Sequence, residues 1–300
     1  MTKPKYTVAV VLSAYNGSRY IQQQIDSVLN QSFTDLYLFI RDDGSSDETR
    51  HIISSNASDR CGYEFGDNVG VARSFYLAAR DLPVEYDYLA FCDQDDFWLP
   101  DKIARSVEII KTLPPAQPNL YCSEYYYCDE NLSNSSMSSL NYKGYDFVHS
   151  LFESKVSGNT IVANKTLASL YLMSGSEDVG WHDWWLSQIA FSVGNVYFDS
   201  NPSLLYRRID SSVSPTGNNC ISLLMYRFQY FVRSNKLALI KRQINKLYVL
   251  FGAQMSTSDR KLADLFTNGS RIKKAVYPGR LRQHFSDELI VRILFLIGVL

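Results

Sequence analysis

The first hundred residues alternate between apolar runs of strand length and amphipathic segments, and this alternation constrains the fold more than any other feature. Residues 7–13, 36–40 and 86–92 are predominantly apolar, as strands buried on both faces are. Residues 19–29 and 71–80 carry apolar side chains at helical spacing between those runs. Strands and helices that alternate form a parallel α/β sheet, which binds ligands at the carboxyl ends of its strands.

The pattern continues along the chain with shorter elements. We expect helices at residues 48–55, where Asp47 is the predicted N-cap, and at 101–112, where Pro100 suits the first turn. Residues 129–143 are rich in serine and asparagine and are predicted to form a loop. The other predicted elements are short strands and helices at 63–65, 120–128, 160–163, 165–173, 182–192, 196–198 and 204–207.

The net charge of -1 hides an asymmetry along the chain. Residues 1–225 contain 16 basic and 27 acidic residues, a net charge of -11, whereas residues 226–300 contain 14 and 4, a net charge of +10. Long segments with helical periodicity follow residue 218. We therefore predict an α/β domain at 1–218 and a basic, mainly helical region at 219–300.

Two interpretations of the basic C-terminal region are open. Helices with Lys and Arg on one side and apolar residues on the other can lie on an anionic bilayer. They can also pack on the core and present a charged outer face. The charge excess and the apolar segment 289–300, which is too short to span a bilayer, favour peripheral contact with an anionic membrane. The sequence has no nucleic-acid-binding motif, so we expect no nucleic-acid partner.

Composition excludes several classes of protein. The chain is 46% hydrophobic and 20% charged, which excludes collagen-like, disordered and polytopic membrane proteins. Its five cysteines are odd in number and show no zinc-like spacing, so we expect no disulfide framework. Residues 1–5 lack the apolar stretch of a signal peptide. We therefore expect a cytoplasmic protein, peripheral on the inner face of the cell membrane.

An acidic loop follows the second predicted strand. Asp42 and Asp43 are adjacent, and their mutual repulsion destabilises the loop unless a cation or hydrogen-bond donors use them. A carboxylate at the end of a strand can accept hydrogen bonds from a pyrimidine edge or a ribose. A turn that caps the next helix is the alternative interpretation.

A second acidic loop follows the strand predicted at 86–92. Asp93, Asp95 and Asp96 place three carboxylates within four residues, so they need a counter-charge. Oxygen ligands with this spacing suit Mg²⁺ or Mn²⁺, held jointly by carboxylates and a substrate diphosphate. A solvated capping loop is the alternative, and the aromatic residues that flank the loop argue against it.

A further carboxylate lies among aromatic residues at 180–185. Asp183 has bulky aromatic neighbours, which tend to raise the pKa of a carboxyl group and so suit a general base. Trp184 and Trp185 either form an apolar wall for a sugar or belong to the core. His182 is either a hydrogen-bonded structural residue or a contact to the substrate.

Four segments in this order resemble the family 2 glycosyltransferases. They are residues 10–17 (VVLSAYNG), 24–33 (QIDSVLNQSF), 42–47 (DDGSSD) and 93–98 (DQDDFW). The resemblance covers roughly residues 6–212. It implies the Rossmann-like GT-A fold, a mixed sheet flanked by helices, and sugar transfer with inversion at the anomeric carbon. The form of the fourth segment is most similar to bacterial rhamnosyltransferase-like members.

The resemblance implies a site for the nucleotide of the donor. Tyr15 would stack on or edge the base with Ala14 beside it, and Asp43 would hydrogen-bond the base. Arg73 lies in a stretch that rests against the nucleotide in relatives, and Asp93 corresponds to the aspartate nearer the ribose. Packing for Tyr15 and a surface charge for Arg73 are the alternatives.

The resemblance also implies a divalent metal, Mg²⁺ or Mn²⁺, at Asp95 beside the donor diphosphate. Relatives often carry Tyr-Arg-x-His after the last core strand, but Ile209 stands at the position of that histidine and cannot bind a metal. Arg207 or Arg208 would then neutralise the diphosphate directly, since Arg pairs well with phosphate oxygens. This departure leaves a strict metal requirement open.

Asp183 matches the general base of the family, with His182 and Trp184 as contacts to the diphosphate or the acceptor. The resemblance implies a hexosyltransferase that uses a nucleotide-diphosphate donor, with dTDP-L-rhamnose among the candidates. Its acceptor would be a saccharide or lipid-linked saccharide in bacterial surface polysaccharide synthesis.

A sugar nucleotidyltransferase and a non-catalytic carbohydrate-binding protein are the alternative functions. The first usually has a glycine-rich basic loop after the first strand, where this chain has only Arg19. The second would need neither the two acidic loops nor Asp183.

Overall fold

The computed structural model describes residues 3–141, 143–208 and 236–300, and within them the chain forms two sheets flanked by helices. The strands are β1 Lys5–Ala14, β2 Leu36–Asp42, β3 Cys61–Phe65, β4 Glu85–Cys92, β5 Phe97–Trp98, β6 Asn119–Ser123, β7 Tyr126–Cys128, β8 Ser136–Met137, β9 Val162–Asn164, β10 Asn195–Asp199 and β11 Leu204–Arg207. Seven of these strands form the central sheet in the order β10-β6-β9-β4-β1-β2-β3.

The central sheet is mixed. β1 pairs in parallel with β2 and β4, and β2 with β3, as buried apolar runs joined by helices do. β9 follows a 3₁₀ turn at Gly158–Thr160 and runs antiparallel to both β4 and β6. It is short because Asn164 already caps the next helix, accepting the Leu167 N–H at 3.0 Å. The mixed sheet flanked by helices that the resemblance implies is confirmed.

The helices are α1 Ile21–Leu29, α2 Thr49–Ser55, α3 Val71–Arg80, α4 Lys102–Ile110, α5 Phe147–Phe152, α6 Lys165–Ser174, α7 His182–Val193, α8 Lys236–Phe251, α9 Thr257–Asn268, α10 Arg271–Ala275 and α11 Phe285–Leu296. They cover both faces of the central sheet, because alternate residues of β1 point to opposite sides. Val8 and Val10 belong to the core cluster that contains residues of α1, α2 and α4. Ala9 and Val11 belong to the cluster that contains residues of α3 and α5–α11. The C-terminal helices therefore share the core of the sheet, and the predicted boundary at residue 218 lies outside the described residues.

The strand predicted at 120–128 is two strands in different sheets. β6 lies in the central sheet, and β7 lies in the second sheet, whose order is β5-β11-β7-β8. Glu124 stands at the break, where its buried carboxyl accepts the Leu140 N–H at 2.9 Å and the Ser138 hydroxyl. Because Glu124 bonds to a loop further along the chain, the sequence around Glu124 does not indicate the break between the two strands.

Two smaller differences concern a helix start and a loop. Asp47 Oδ1 accepts the Thr49 N–H at 3.0 Å, but α2 begins at Thr49, so Glu48 and not Asp47 occupies the N-cap position. The predicted loop at 129–143 contains β8, which pairs antiparallel with β7.

No helix in the described part of the chain combines the length and apolar character that crossing a bilayer requires. The cysteines in that part are buried free thiols: Cys61, Cys92, Cys122 and Cys128. Cys220 lies outside the described residues.

A buried lysine packs next to β5. Lys102 begins α4, and its ammonium nitrogen lies 4.6 Å from the centre of the Trp98 ring. Burial lowers the pKa of this ammonium group to about 7. Its hydrogen bond to the Ser203 hydroxyl is long, at 3.5 Å, so it offsets little of the free energy of desolvation.

We predict that Lys102→Met raises the free energy of unfolding at pH 7 by about 1–3 kcal/mol, because an apolar side chain of similar length removes a buried charge. The pKa of Lys102 in the native protein is about 7, below the usual value of 10.5. The parent chain therefore becomes more stable as the pH rises from about 7 to 10.5. Urea unfolding at pH 6.5 and pH 9.5 should therefore show the larger gain at the lower pH. Lys111→Met, at the exposed end of α4, is the control and should change little. Destabilisation by Lys102→Met at both pH values would contradict the prediction.

Candidate active site

The two acidic loops meet at one edge of the central sheet. β4, β1 and β2 are neighbours, so the loops that follow their carboxyl ends lie side by side. They border a cavity of about 270 Å³ lined by Ser13, Tyr15, Asp43, Asn68, Gly70, Val71, Phe75, Asp93, Gln94 and Asp95. The predicted donor-site residues Tyr15, Asp43 and Asp93 and the predicted metal ligand Asp95 thus line one cavity.

Two arginines supply the counter-charges that the first acidic loop requires. Asp42 is fully buried and pairs with Arg50 Nε at 2.7 Å. Asp43 is 3% exposed and pairs with Arg41 Nη1 at 2.5 Å. Since each carboxyl has its own guanidinium group, adjacent aspartates are tolerated in this loop.

Asp43 also organises the loop that leads into α3. Its Oδ1 accepts the Val69 N–H and its Oδ2 accepts the Gly70 N–H, both at 3.0 Å. Arg73 follows in the first turn of α3 and is exposed, two residues beyond Val71 of the cavity wall. Arg73 itself is not among the residues that line the cavity.

Gln94 joins the first strand to the second acidic loop. Its Oε1 accepts the Tyr15 N–H at 2.8 Å, and its Nε2 donates to the Tyr15 carbonyl at 3.1 Å. The Tyr15 ring is 49% exposed. Gly17 is required here, because a Cβ at that position would overlap the Gln94 amide. Ala14 is buried and contributes its carbonyl, which accepts the Asp43 N–H at 2.7 Å.

Asp93 and Asp95 lack the partners that Asp42 and Asp43 have. Neither carboxyl accepts a hydrogen bond from another residue that the structure describes. Burial raises the pKa of Asp93, and the charges of Asp95 and Asp183 raise it further. Burial also raises the pKa of Asp95, which Arg207 partly opposes. Uncompensated carboxylates on a cavity wall fit a cation.

The chemistry of these ligands limits how a metal would be held. Within the described ranges, no group of three or more His, Cys, Asp and Glu side chains has the arrangement of a metal site. Asp93 and Asp95 would therefore supply at most two protein ligands. Mg²⁺ is commonly bound in this way, with water and substrate phosphate oxygens completing an octahedral shell.

Arg207 holds the backbone of the second acidic loop. Its Nε donates to the Asp95 carbonyl at 2.8 Å, its Nη2 to the Gln23 side chain at 2.7 Å, and its Nη1 to the Glu130 carbonyl. This guanidinium group therefore positions the loop, and a direct contact of Arg207 or Arg208 with a diphosphate stays a prediction. Arg208 is exposed and lies 3.8 Å from the centre of the Tyr127 ring.

Ile209, the residue at the usual histidine position, lies outside the described residues.

Asp183 reaches the acidic loops from the first turn of α7. Its Oδ1 accepts the Trp184 N–H at 2.7 Å, and burial raises the pKa of the carboxyl to about 6. The Gly158 N–H lowers that pKa in part. A Cβ at Gly158 would lie 3.2 Å from the Asp183 Cβ, so glycine allows the close approach. Phe75 of the cavity wall packs on the His182 ring, so the start of α7, with Asp183, lies beside the cavity. The charge of Asp183 also contributes to the raised pKa of Asp93.

The neighbours of Asp183 are core residues. His182 is buried and its ring centre lies 4.0 Å from that of Phe75. Burial lowers the pKa of His182 to about 3, so the ring is neutral at physiological pH and brings no positive charge to a diphosphate. Trp184 is 7% exposed and donates its indole N–H to the Ser150 carbonyl at 2.5 Å, and Trp185 is fully buried. The structure thus places both Trp rings in the core, which is one of the two interpretations that the sequence left open.

Two residues at this site were not identified from the sequence. Gln94 could have been noticed, because it interrupts a run of aspartates. Gly158 is a single glycine 25 residues before Asp183, and nothing in the local sequence connects the two.

The comparisons with known proteins agree with this geometry. A model of the family described as Glycosyl transferase family 2 matches residues 9–159. The dTDP-rhamnosyl transferase RfbG of Shigella flexneri is 28% identical over 221 residues, which are 67% of this chain and 72% of that protein. An uncharacterized glycosyltransferase of Rickettsia prowazekii is 26% identical over 200 residues, 64% of this chain, and the chain spans only 61% of that protein.

A solved structure shows the same fold. The crystal structure of residues 1–349 of S. aureus TarS in complex with UDP-GlcNAc superposes with a TM-score of 0.56 at 13% identity, covering 95% of this chain and 89% of that one. The sheet and its helices therefore form a GT-A fold.

We predict that Asp183→Asn stabilises the protein at neutral pH. Burial raises the native pKa above the usual value of 3.8, so ionisation of Asp183 destabilises the native state fully above about pH 6 and not at all below the unfolded pKa. The amide should raise the free energy of unfolding by about 1–3 kcal/mol at pH 7.5, and the gain should vanish as the pH falls to about 4. Thermal melts at both pH values measure this. Asp67→Asn, an exposed carboxyl, is the control, and equal gains for the two variants would contradict the prediction.

Proposed function

The chain belongs to glycosyl transferase family 2, and we propose that it transfers a sugar, with inversion at the anomeric carbon, from a nucleotide-diphosphate donor to a saccharide or lipid-linked saccharide acceptor. One observation carries this proposal. Phe75 lines the cavity together with Asp93 and Asp95, and its ring centre lies 4.0 Å from that of His182. Asp183 at the start of α7 therefore stands beside the two carboxyls of the second acidic loop. A cavity with separate groups for a donor diphosphate and for an acceptor hydroxyl is what a single-displacement transfer needs.

The nucleotide of the donor would occupy the part of the cavity between Tyr15 and Asp43. The half-exposed Tyr15 ring offers a face for stacking, and the Asp43 carboxyl lies at the end of β2 within the same wall. The Gln94 amide fixes the backbone of Tyr15, so the ring starts from a defined position. Arg73 would approach from the first turn of α3.

A divalent cation, Mg²⁺ or Mn²⁺, would bind at Asp95 with help from Asp93. When bound, such an ion neutralises charge on the departing diphosphate. The raised pKa values of both carboxyls support this assignment, because an adjacent cation stabilises the ionised form that burial disfavours. Arg207 positions the loop through the Asp95 carbonyl, and Arg208 is the exposed cation on that side.

Asp183 would act as the general base. With a pKa of about 6 it is ionised at neutral pH and still basic enough to accept a proton from a hydroxyl group as that oxygen attacks. The Trp184 N–H holds one carboxylate oxygen at 2.7 Å and orients the other. The acceptor oxygen bonds to the anomeric carbon, the bond to the diphosphate oxygen breaks, and Asp183 retains the acceptor proton.

The relative RfbG, a dTDP-rhamnosyl transferase, supports dTDP-L-rhamnose as the donor, and we propose a bacterial surface polysaccharide as the product. We place the reaction at the cytoplasmic face of the cell membrane, where nucleotide sugars and lipid-linked acceptors meet.

Asp183→Asn should lower the rate of transfer by at least about 10²–10⁴-fold, the usual contribution of general-base assistance, and leave donor affinity within a few-fold of the parent. The measurements are acceptor-dependent release of nucleoside diphosphate and calorimetric titration of dTDP-rhamnose on the same preparation. In the parent, transfer should decline as the pH falls below about 6, because the base is then protonated. Near-normal transfer by the variant would remove Asp183 as the base, and release of pyrophosphate would indicate a nucleotidyltransferase.

Asp95→Ala should abolish metal-dependent donor binding and leave the fold intact, because its carboxyl has no structural hydrogen bond with a described residue. Titration of the donor with and without Mn²⁺ measures the effect. Asp67→Ala, an exposed aspartate, is the matched control. An unchanged donor affinity in a folded Asp95→Ala protein would refute the metal assignment.

A further inference from the structure

The last two helices of the chain present an exposed apolar face. Ile272 of α10 and Val276, directly after it, are exposed, as are Phe285, Leu289, Ile293 and Leu296 of α11. The exposed residues of α11 recur every three or four positions, so they lie along one side of the helix. Phe285 is 80% exposed. Single exposed apolar residues are ordinary in soluble proteins, but a contiguous set of them marks an interaction surface.

The two helices lie side by side. Arg292 of α11 donates to the Ala275 and Tyr277 carbonyls, both at 2.8 Å, where α10 ends. Arg271, where α10 begins, lies close to Gly298. A Cβ at Gly298 would overlap the guanidinium group of Arg271. The start of α10 therefore meets the end of α11. Their exposed apolar residues belong to one surface, which we call the α10–α11 face.

A basic cleft of about 220 Å³ adjoins this face. Its wall contains four cations, Lys143, Arg280, Arg282 and Arg292, and one carboxylate, Glu288. Phe285 lines the cleft as well, so the cleft and the apolar face are continuous.

An unpartnered amide indicates what the cleft binds. Gln283 lines the cleft and is 1% exposed, yet neither its Oε1 nor its Nε2 has a hydrogen-bond partner. Arg280 Nη1 is also buried without a partner. Buried polar groups are normally satisfied, and a phosphate group would accept from both donors.

We propose that the α10–α11 face docks on a bilayer that contains anionic lipids, with a headgroup phosphate in the basic cleft. The apolar side chains would enter the boundary between headgroups and acyl chains, and Phe285 would do so directly beside the bound phosphate. Lys273, exposed on α10, adds to the attraction toward an anionic surface.

Charge favours a bilayer over a second copy of the chain. A two-fold dimer through this face would bring the same surface of both partners together, and with it two basic clefts. The acidic residues of α11 offset only part of this charge. Glu288 pairs with Arg292 at 2.6 Å and Asp287 with Arg282 at 3.4 Å, which leaves Arg280 and the exposed Lys273 to make the face basic.

The cleft is connected to the acceptor side of the proposed active site. The Gln283 N–H donates to Glu153 Oε2 at 2.8 Å, directly after α5. The Ser150 carbonyl of α5 accepts the indole N–H of Trp184, the neighbour of Asp183. Docking would thus hold the base near a lipid-linked acceptor. That consequence rests on the proposed function, whereas docking itself does not.

Co-sedimentation with vesicles tests the proposal. The parent chain should bind vesicles of phosphatidylcholine with phosphatidylglycerol at least about tenfold more tightly than vesicles of phosphatidylcholine alone, and high salt should weaken this binding. The double variant Phe285→Glu with Leu289→Glu should bind the anionic vesicles at least about tenfold more weakly, because it loses apolar contact and adds negative charge. Lys273→Glu should weaken binding to the anionic vesicles only.

Two control variants make the same chemical changes elsewhere. Met173→Glu alters an exposed apolar residue of α6, and Lys111→Glu reverses an exposed charge at the end of α4. Both should bind vesicles as the parent does. Equal loss in the controls, equal binding of the parent to both vesicle types, or no binding overturns the proposal. A dimer in size-exclusion chromatography that the double variant dissociates, without vesicle binding, also overturns it.

Activity separates this proposal from the proposed function. The double variant should release nucleoside diphosphate with a water-soluble acceptor at the parent rate. Unchanged release together with lost vesicle binding supports docking, whereas vesicle binding without any transfer by the parent refutes the transferase function alone.

Discussion

The buried carboxyl of Asp96 holds together the three parts of the candidate site. It is 1% exposed, and it accepts hydrogen bonds from the Asn159 amide and from the Arg207 N–H at 3.3 Å. One side chain of the second acidic loop therefore fixes both the 3₁₀ turn before β9 and the end of β11. The first contact brings Gly158 against Asp183, and the second sets the Arg207 guanidinium on the loop backbone. Such a buried network defines one arrangement because each member depends on the others.

The acidic residues around the cavity fall into two groups that differ in their partners. Asp42, Asp43 and Asp96 have hydrogen bonds or arginines, and they position loops. Asp93 and Asp183 have few partners, and burial raises their pKa values. A protein selected for stability alone would replace the second group, since half-buried carboxyls with so few partners oppose folding. Perturbed carboxyls of this kind are a general signal of a functional site.

The sequence predicts the parts of this structure that have a local pattern. The buried strands, the amphipathic helices and the two acidic loops were all predicted, and the order of β4, β1 and β2 brings those loops together as expected. The break at Glu124, the pairing of Gln94 with Tyr15 and the approach of Gly158 to Asp183 were not predicted. Each depends on a contact between segments that are far apart in the chain. Such a contact produces no pattern of spacing in the sequence from which it could be predicted. Burial of Trp184 could not be decided for the same reason, because a tryptophan at a ligand and a tryptophan in the core look alike in sequence.

The position of Asp183 on α7 explains how one half-buried carboxyl can be ionised at neutral pH. It stands in the first turn, where the positive end of the helix dipole and free backbone N–H groups favour a negative charge. The Trp184 and Gly158 N–H groups act in this direction, and burial among the core aromatic residues acts against it. Burial prevails, and the resulting pKa of about 6 lies just below neutral pH. A carboxyl on an exposed helix start would be a weaker base, and one buried without these N–H groups would stay protonated. The chemistry available to this residue is therefore set by the helix start and the core together.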